Sequence, residues 1–293
     1  MAEPVVYLNG QWLPLAEAKI PVLDRGFIFG DAVYEVIPVY SRRALRLQGH
    51  LQRLARSLHE IRIQNPLDNR GWSALVEEAV ARYEDDDQSI YIHVTRGVAR
   101  RDAALPAGLV PTVLVIANPS AAPPRQLVEH GVECTTAQDN RWGRCDIKST
   151  ALLANCLLRQ VSADRGAYET ILVREGRVTE GSSSNVYVVR DGRIATSPAS
   201  SEVLAGITLD LVIEFAQATG LDFVSRRISE QELCSADEIW ISSASKEVLA
   251  VTQLDGTAVG CGNDAGKPGP LYRRMREAFD RAILDLRQQA VAA

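Results

Sequence analysis

Cys145-Asp146-Ile147-Lys148-Ser149-Thr150-Ala151-Leu152-Leu153 holds one of only four lysines in a chain of 293 residues. The others are Lys19, Lys246 and Lys267, so 28 of the 32 basic residues are arginine. Where this protein needs a plain positive charge it uses Arg. A guanidinium stays protonated and is unsuited to covalent work, whereas a Lys amine can lose its proton on burial and attack a carbonyl. Lys148 is therefore a candidate for covalent chemistry at the opening of an apolar run that reads as a helix. The plainer alternative is a helix-start residue whose stem lies along apolar surface while its charge reaches water.

Two segments downstream supply groups that such an amine would work with. Val178-Thr179-Glu180-Gly181-Ser182-Ser183-Ser184-Asn185 sets one carboxylate in a turn of small residues just before a strand. Leu204-Ala205-Gly206-Ile207-Thr208-Leu209-Asp210 puts Gly, an apolar residue and Thr at a helix start, where unpaired N–H groups and the helix dipole favour a phosphate. An amine that forms a Schiff base, an acid for a pyridinium nitrogen and an anion cup are the parts pyridoxal phosphate requires. Taken singly, Glu180 could be a turn acid, Gly206 a loop glycine and Thr208 an ordinary cap.

Around these segments the chain alternates strands, helices and hairpin turns, which points to α+β rather than a doubly wound parallel sheet. Val5–Leu8 turns at Asn9-Gly10 into Gln11–Leu13, and a longer strand covers Ala32–Tyr40 before a short one at Ala44–Leu47. Leu51, Leu54, Leu58 and Ile61 recur at helical spacing, as do Leu75, Val76, Ala79 and Val80. Strands at Ile90–Thr95 and Thr112–Ile116 complete a first domain over 1–118. The proline-rich stretch from Pro119 gives a linker over 119–126. The second domain, 127–293, carries a helix opening near Lys148 and a strand Glu169–Arg174. It continues with an Asp191-Gly192 hairpin, a helix after Gly206 and a terminal helix from about Leu271.

Hydrophobic content of 46%, charged content of 24% and a net charge of −5 fit a soluble globular protein without general affinity for nucleic acid or anionic membranes. The start MAEPVVYLNG lacks a signal-peptide pattern, and no apolar stretch approaches the roughly 20 residues of a membrane span. The five cysteines and four histidines are scattered without metal-ligand spacing. The expectation is a cytoplasmic protein with reduced thiols and no metal.

Asp139-Asn140-Arg141-Trp142-Gly143-Arg144-Cys145-Asp146-Ile147-Lys148-Ser149, the VTEGSSSN stretch and LAGIT resemble the class IV (fold type IV) pyridoxal-phosphate aminotransferases, and most nearly the D-amino-acid branch. Leu23–Val36 (LDRGFIFGDAVYEV), His50-Leu51-Gln52-Arg53-Leu54 and Val94-Thr95-Arg96-Gly97 carry the same resemblance into the first half. It runs from about residue 5 to the end. It implies a two-domain α+β fold with the active site between the domains, a pyridoxal 5'-phosphate cofactor and a homodimer.

Carried across by motif, Lys148 is the Schiff-base lysine that also moves the proton, and Glu180 pairs with the ring nitrogen. Arg53, Ile207, Thr208, Ser243 and the backbone N–H of Ala244 hold the phosphate; the branch usually has a hydroxyl residue at 244. Leu204 packs on the ring, and Arg141 lies near its phenolic oxygen. The α-carboxylate trap of the D branch combines a strand Tyr with an Arg and a His two residues apart on a partner-subunit loop. Tyr34 and Arg101 match, with Arg100 adjacent, but Ala103 stands where the His is usual. The implied function is ping-pong transamination of D-amino acids with a 2-oxo acid acceptor. The alternatives are (R)-selective amine transamination, aminodeoxychorismate lysis, branched-chain transamination and non-catalytic cofactor binding.

Overall fold

A computed structural model describes residues 5–120 and 122–291. Residues 1–4, 121, 292 and 293, including one position of the expected linker, lie outside the described residues. The chain forms two compact units. The first takes the residues up to Ala121, the short segment Ile147–Leu152 and the C-terminal stretch from Leu286; the second takes Ala122–Asp146 and Leu153–Asp285.

In the first unit the strands are β1 (Val5–Leu8), β2 (Gln11–Pro14), β3 (Ala32–Tyr40), β4 (Arg43–Ala44), β5 (Gln88–Thr95) and β6 (Thr112–Pro119). They form one sheet in the order β2-β1-β6-β5-β3-β4. Three helices accompany it: α1 (Arg25–Phe29), α2 (Leu47–Glu60) and α3 (Asn69–Arg82). One face of β3 turns Val33, Ile37 and Val39 into a core with Leu51, Leu54 and Leu58 of α2 and Trp72, Val76 and Ala79 of α3. Burying such side chains contributes about 1.5–3 kcal/mol each, and the period-3.6 and period-2 patterns meet here on one face. The second strand of the expected hairpin after β3 is shorter than its apolar pattern suggests, because α2 already begins at Leu47.

The second unit opens with α4 (Arg125–His130), so part of the expected linker is helical. Its strands are β7 (Val132–Gln138), β8 (Glu169–Arg174), β9 (Arg177–Gly181), β10 (Asn185–Arg190), β11 (Arg193–Thr196), β12 (Asp222–Ser225), β13 (Glu238–Ser243), β14 (Glu247–Leu254) and β15 (Thr257–Ala258). The main order is β12-β11-β10-β13-β14-β7-β8-β9, with β15 on β14. The remaining helices are α5 (Leu153–Asp164), α6 (Ile207–Ala218), α7 (Glu230–Cys234) and α8 (Pro270–Val291). The buried Glu238 carboxylate accepts the N–H groups of Leu271 and Tyr272 at 2.9 and 2.8 Å, satisfying the first turn of α8.

Lys148 does not start a helix. Residues 147–152 are irregular and α5 begins only at Leu153. The segment's backbone bonds go to β3 instead: Tyr34 N–H donates to the Lys148 carbonyl and Thr150 N–H to the Ala32 carbonyl, both at 3.0 Å. Those groups cannot also join a helical ladder, so tertiary pairing overrides the apolar periodicity.

Candidate active site

In the first unit, the bridge between Val33 and Ser149 fixes Lys148 beside β3. Its N–H donates to Ser57 Oγ of α2 at 3.3 Å, and its Nζ lies 4.1 Å from the centre of the Tyr34 ring. The amine is thus held against an aromatic face by a side chain that is only half-buried. Tyr34 packs in turn against Tyr91, ring centres 5.8 Å apart.

Arg53 is buried on α2 and grips Glu35 of β3 with two hydrogen bonds, Nε to Oε1 at 2.7 Å and Nη2 to Oε2 at 2.8 Å. His50 Nδ1 reaches the same carboxylate at 2.8 Å. Burial alone would raise the Glu35 pKa, but the Arg53 charge and the hydrogen bonds outweigh it and hold the acid at about 2. Glu35 and His50 lie within the sequence motifs, yet the motifs assign neither a role. The signal was present: an acid inside the apolar run Ala32–Tyr40 needs a buried cation, and His50 and Arg53 sit three apart on one helix face.

The loop after β5 keeps Arg100, Arg101 and Ala103 exposed. The guanidinium of Arg101 lies 5.7 Å from the Phe29 ring centre, and that of Arg25 lies 4.7 Å from the same ring. Arg25 also donates to Asp31 at 2.8 Å and to the Asp102 carbonyl at 2.5 Å, tying the loop to α1. Arg96 holds the same Asp31 at 2.7 Å. Burial works to raise the Asp31 pKa, and the two guanidinium groups overcome it and lower it. Among the described residues, Arg101 makes no hydrogen bond to Tyr34; the structure does not join these two expected carboxylate ligands within one chain.

In the second unit, Glu180 stands near the end of β9, buried, beside Arg141. Arg141 binds one Glu180 oxygen, and the Leu204 N–H donates to the other at 3.0 Å. Asp139 completes the set, accepting from Arg141 Nε at 3.0 Å, Arg141 Nη2 at 2.9 Å and Thr179 Oγ1 at 2.8 Å. Burial pushes the Glu180 carboxyl above the usual range against the pull of Arg141, while Asp139, also opposed by burial, is brought down to about 2 by Arg141. Arg141 therefore orients the acid at 180, a partnership the sequence did not announce.

The turn after Glu180 is organised by a second buried acid. Glu169 of β8 accepts from Ser183 Oγ at 2.9 Å, Ser184 Oγ at 3.0 Å and Lys246 Nζ at 2.6 Å, and Ser182 Oγ joins them. Lys246 also donates its N–H to Ser243 Oγ at 3.1 Å, which links the serine turn to the loop carrying Ser243 and Ala244.

Asn185 Nδ2 donates to the Leu204 carbonyl at 3.0 Å, and Asn185 pairs with Ser242 across the sheet. α6 then opens at Gly206 without a side-chain cap, so the N–H groups of Ile207 and its neighbours face outward as an anion cup. A Cβ at Gly206 would sit 2.0 Å from Asn185 Oδ1; only glycine fits that approach. Thr208 is buried in the first turn, and Ile207, Leu204, Ser243 and Ala244 are half-buried. These residues suit a small aromatic phosphate whose ring meets Glu180 and whose anion meets the α6 N-terminus.

The family model for class IV amino-transferases matches residues 32–254. A D-alanine aminotransferase of Bacillus licheniformis is 38% identical over 279 residues, covering 95% of this chain and 97% of the relative. One from Staphylococcus aureus (strain COL) is 37% identical over 278 residues, with the same shares. Among solved structures, the branched-chain aminotransferase of the archaeon Thermoproteus uzoniensis with norvaline has a TM-score of 0.87 at 26% identity, covering 99% of this chain and 97% of that one. A bacterial-type likeness adds the cofactor: a branched-chain amino acid aminotransferase solved with pyridoxamine 5'-phosphate has a TM-score of 0.89 at 26% identity, with the same shares. With the family model spanning most of the chain and near-full-length relatives above 30% identity, this chain belongs to the class IV aminotransferases.

Proposed function

We propose that this pyridoxal-phosphate-dependent aminotransferase moves the amino group of D-amino acids to a 2-oxo acid, in ping-pong order, as a cytoplasmic homodimer. The reading rests above all on Lys148. A rare lysine in an arginine-rich chain has its Nζ 4.1 Å from the Tyr34 ring rather than out in water. The relatives named D-alanine aminotransferase support the handedness of the donor. Branched-chain aminotransferases share the fold at lower identity.

Pyridoxal phosphate supplies a carbonyl that condenses with amines and, when its ring nitrogen is protonated, an electron sink. Glu180 would hold the proton at that nitrogen, with Arg141 and the Leu204 N–H fixing the carboxylate from the other side. The N–H groups of Ile207, Thr208 and Ala244, the hydroxyls of Thr208 and Ser243, and Arg53 would take the phosphate. Leu204 would cover the ring face. Lys148 Nζ takes the proton from the donor's α-carbon and delivers it again, serving as both base and acid. Tyr34 and Arg101, with Arg100 beside it, would bind the α-carboxylate, the loop coming from the partner subunit as in the D branch.

Ala103 alters that grip, because one donor to a charged oxygen is worth roughly ten- to a hundredfold in affinity. Some turnover of amines without a carboxylate is therefore part of the reading. The test is a half-reaction screen of the cofactor-loaded protein with D-alanine, D-glutamate, L-leucine and (R)-1-phenylethylamine, following the cofactor's absorbance. The two D-amino acids should convert it fastest and the amine slowly. A response to L-leucine alone contradicts the proposal.

A further inference from the structure

β3 and β5 are antiparallel, and their register pairs Tyr34 with His93 and Val36 with Tyr91. Residues paired in this way project from the same face of a sheet, so Tyr34, His93 and Tyr91 share the face on which the Lys148 amine meets the Tyr34 ring. The Tyr91 hydroxyl lies 3.2 Å from His93 Nδ1. His93 Nε2 is buried and has no hydrogen-bond partner among the described residues. Leaving such a nitrogen unpaired costs free energy, and buried polar atoms normally have a partner.

The polarity of this nitrogen follows from its neighbour. Burial raises the Tyr91 phenol to about 12, so it stays protonated. A phenol is a stronger acid than the N–H of neutral imidazole, and the pyridine-type nitrogen is the stronger acceptor; Tyr91 therefore donates to Nδ1 and the ring proton resides on Nε2. Burial also lowers the pKa of His93, with Asp24 pulling weakly the other way, which keeps the ring neutral. The face beside Lys148 thus carries an oriented N–H donor in need of an acceptor oxygen.

We propose that His93 Nε2–H binds an oxygen of the substrate's α-carboxylate, supplying from strand β5 the imidazole that Ala103 withholds from the loop. The inference rests on the transaminase reading above and identifies a residue that sets specificity for carboxylate-bearing donors. A purely structural role, edge-on packing against Tyr91 with ring centres 5.8 Å apart, is the competing account.

Three measurements separate them. In His93→Leu the KM for D-alanine should rise roughly ten- to a hundredfold with kcat changed much less, and (R)-1-phenylethylamine should be unaffected. His93→Gln keeps a side-chain N–H and should restore most of the D-alanine KM. An unchanged D-alanine KM in His93→Leu, or equal losses for both donors, overturns the proposal. Imidazole nitrogen NMR gives a readout independent of turnover, since there are only four histidines. Propionate, a bare carboxylate, should shift the cofactor-loaded protein's His93 signal, identified by its loss in His93→Gln. A shift supports the inference even where D-alanine proves not to be a donor, and a stationary signal overturns it even where D-alanine is turned over.

Discussion

Glu35 and Asp139 illustrate how single residues set the chemistry of both units. Each is a buried acid whose carboxyl would rise on burial and is instead held at about 2 by an arginine, Arg53 in one case and Arg141 in the other. The sign of the consequence is fixed. A carboxyl whose pKa is lower in the folded state adds stability that is complete above its ordinary value, 4.5 for Glu35 and 3.8 for Asp139, and is lost as pH falls toward about 2. Melting temperatures should therefore fall steeply through that window, and Glu35→Gln should lose part of the dependence while starting lower at neutral pH. A flat profile down to about pH 2 would contradict these assignments. At this scale the sequence was partly legible. Lys148 and Glu180 stood out because their neighbours were small or apolar. The roles of Glu35, His50 and Lys246 did not, because each depends on a partner that only the fold brings near; Lys246 and Glu169 are 77 residues apart.

Among the elements, periodicity served where one face is buried and one is not. The spacing of Leu51, Leu54 and Leu58 marked α2, and the alternation in Ala32–Tyr40 marked β3. It failed at Lys148, where the apolar run Ala151–Leu153 suggested a helix that begins only at Leu153, because β3 claims the preceding backbone. The start of α6 was read from Gly206 and Thr208, but the reason for the glycine lies in Asn185, whose Oδ1 leaves no room for a Cβ. Gly206→Ala must displace Asn185 from the Leu204 carbonyl or shift the first turn of α6. The substitution should cost about 1–3 kcal/mol of stability. It should also weaken pyridoxal phosphate binding at least tenfold, measured by melting and by cofactor titration. Unchanged cofactor affinity would show that the α6 N-terminus is not the phosphate cup.

For the whole molecule, six short motifs in one order carried the family resemblance, and the family model and relatives agree with them. What the motifs could not convey is how the two units are stitched in sequence. Residues 147–152 leave the second unit to join the first, and the chain from Leu286 returns to it. The covalent residue thus belongs to the same unit as Tyr34 and His93, while Glu180 and the anion cup belong to the other. Such an exchange depends on backbone pairing with β3, which no composition or spacing encodes. The most direct measurement is to load the protein with pyridoxal phosphate, reduce it with borohydride, digest it and locate the attached cofactor by mass spectrometry. The label should lie wholly on Lys148, and Lys148→Ala should carry none there and lose transamination while keeping its fold. A label on Lys19, Lys246 or Lys267 instead, or undiminished turnover in Lys148→Ala, would contradict the assignment.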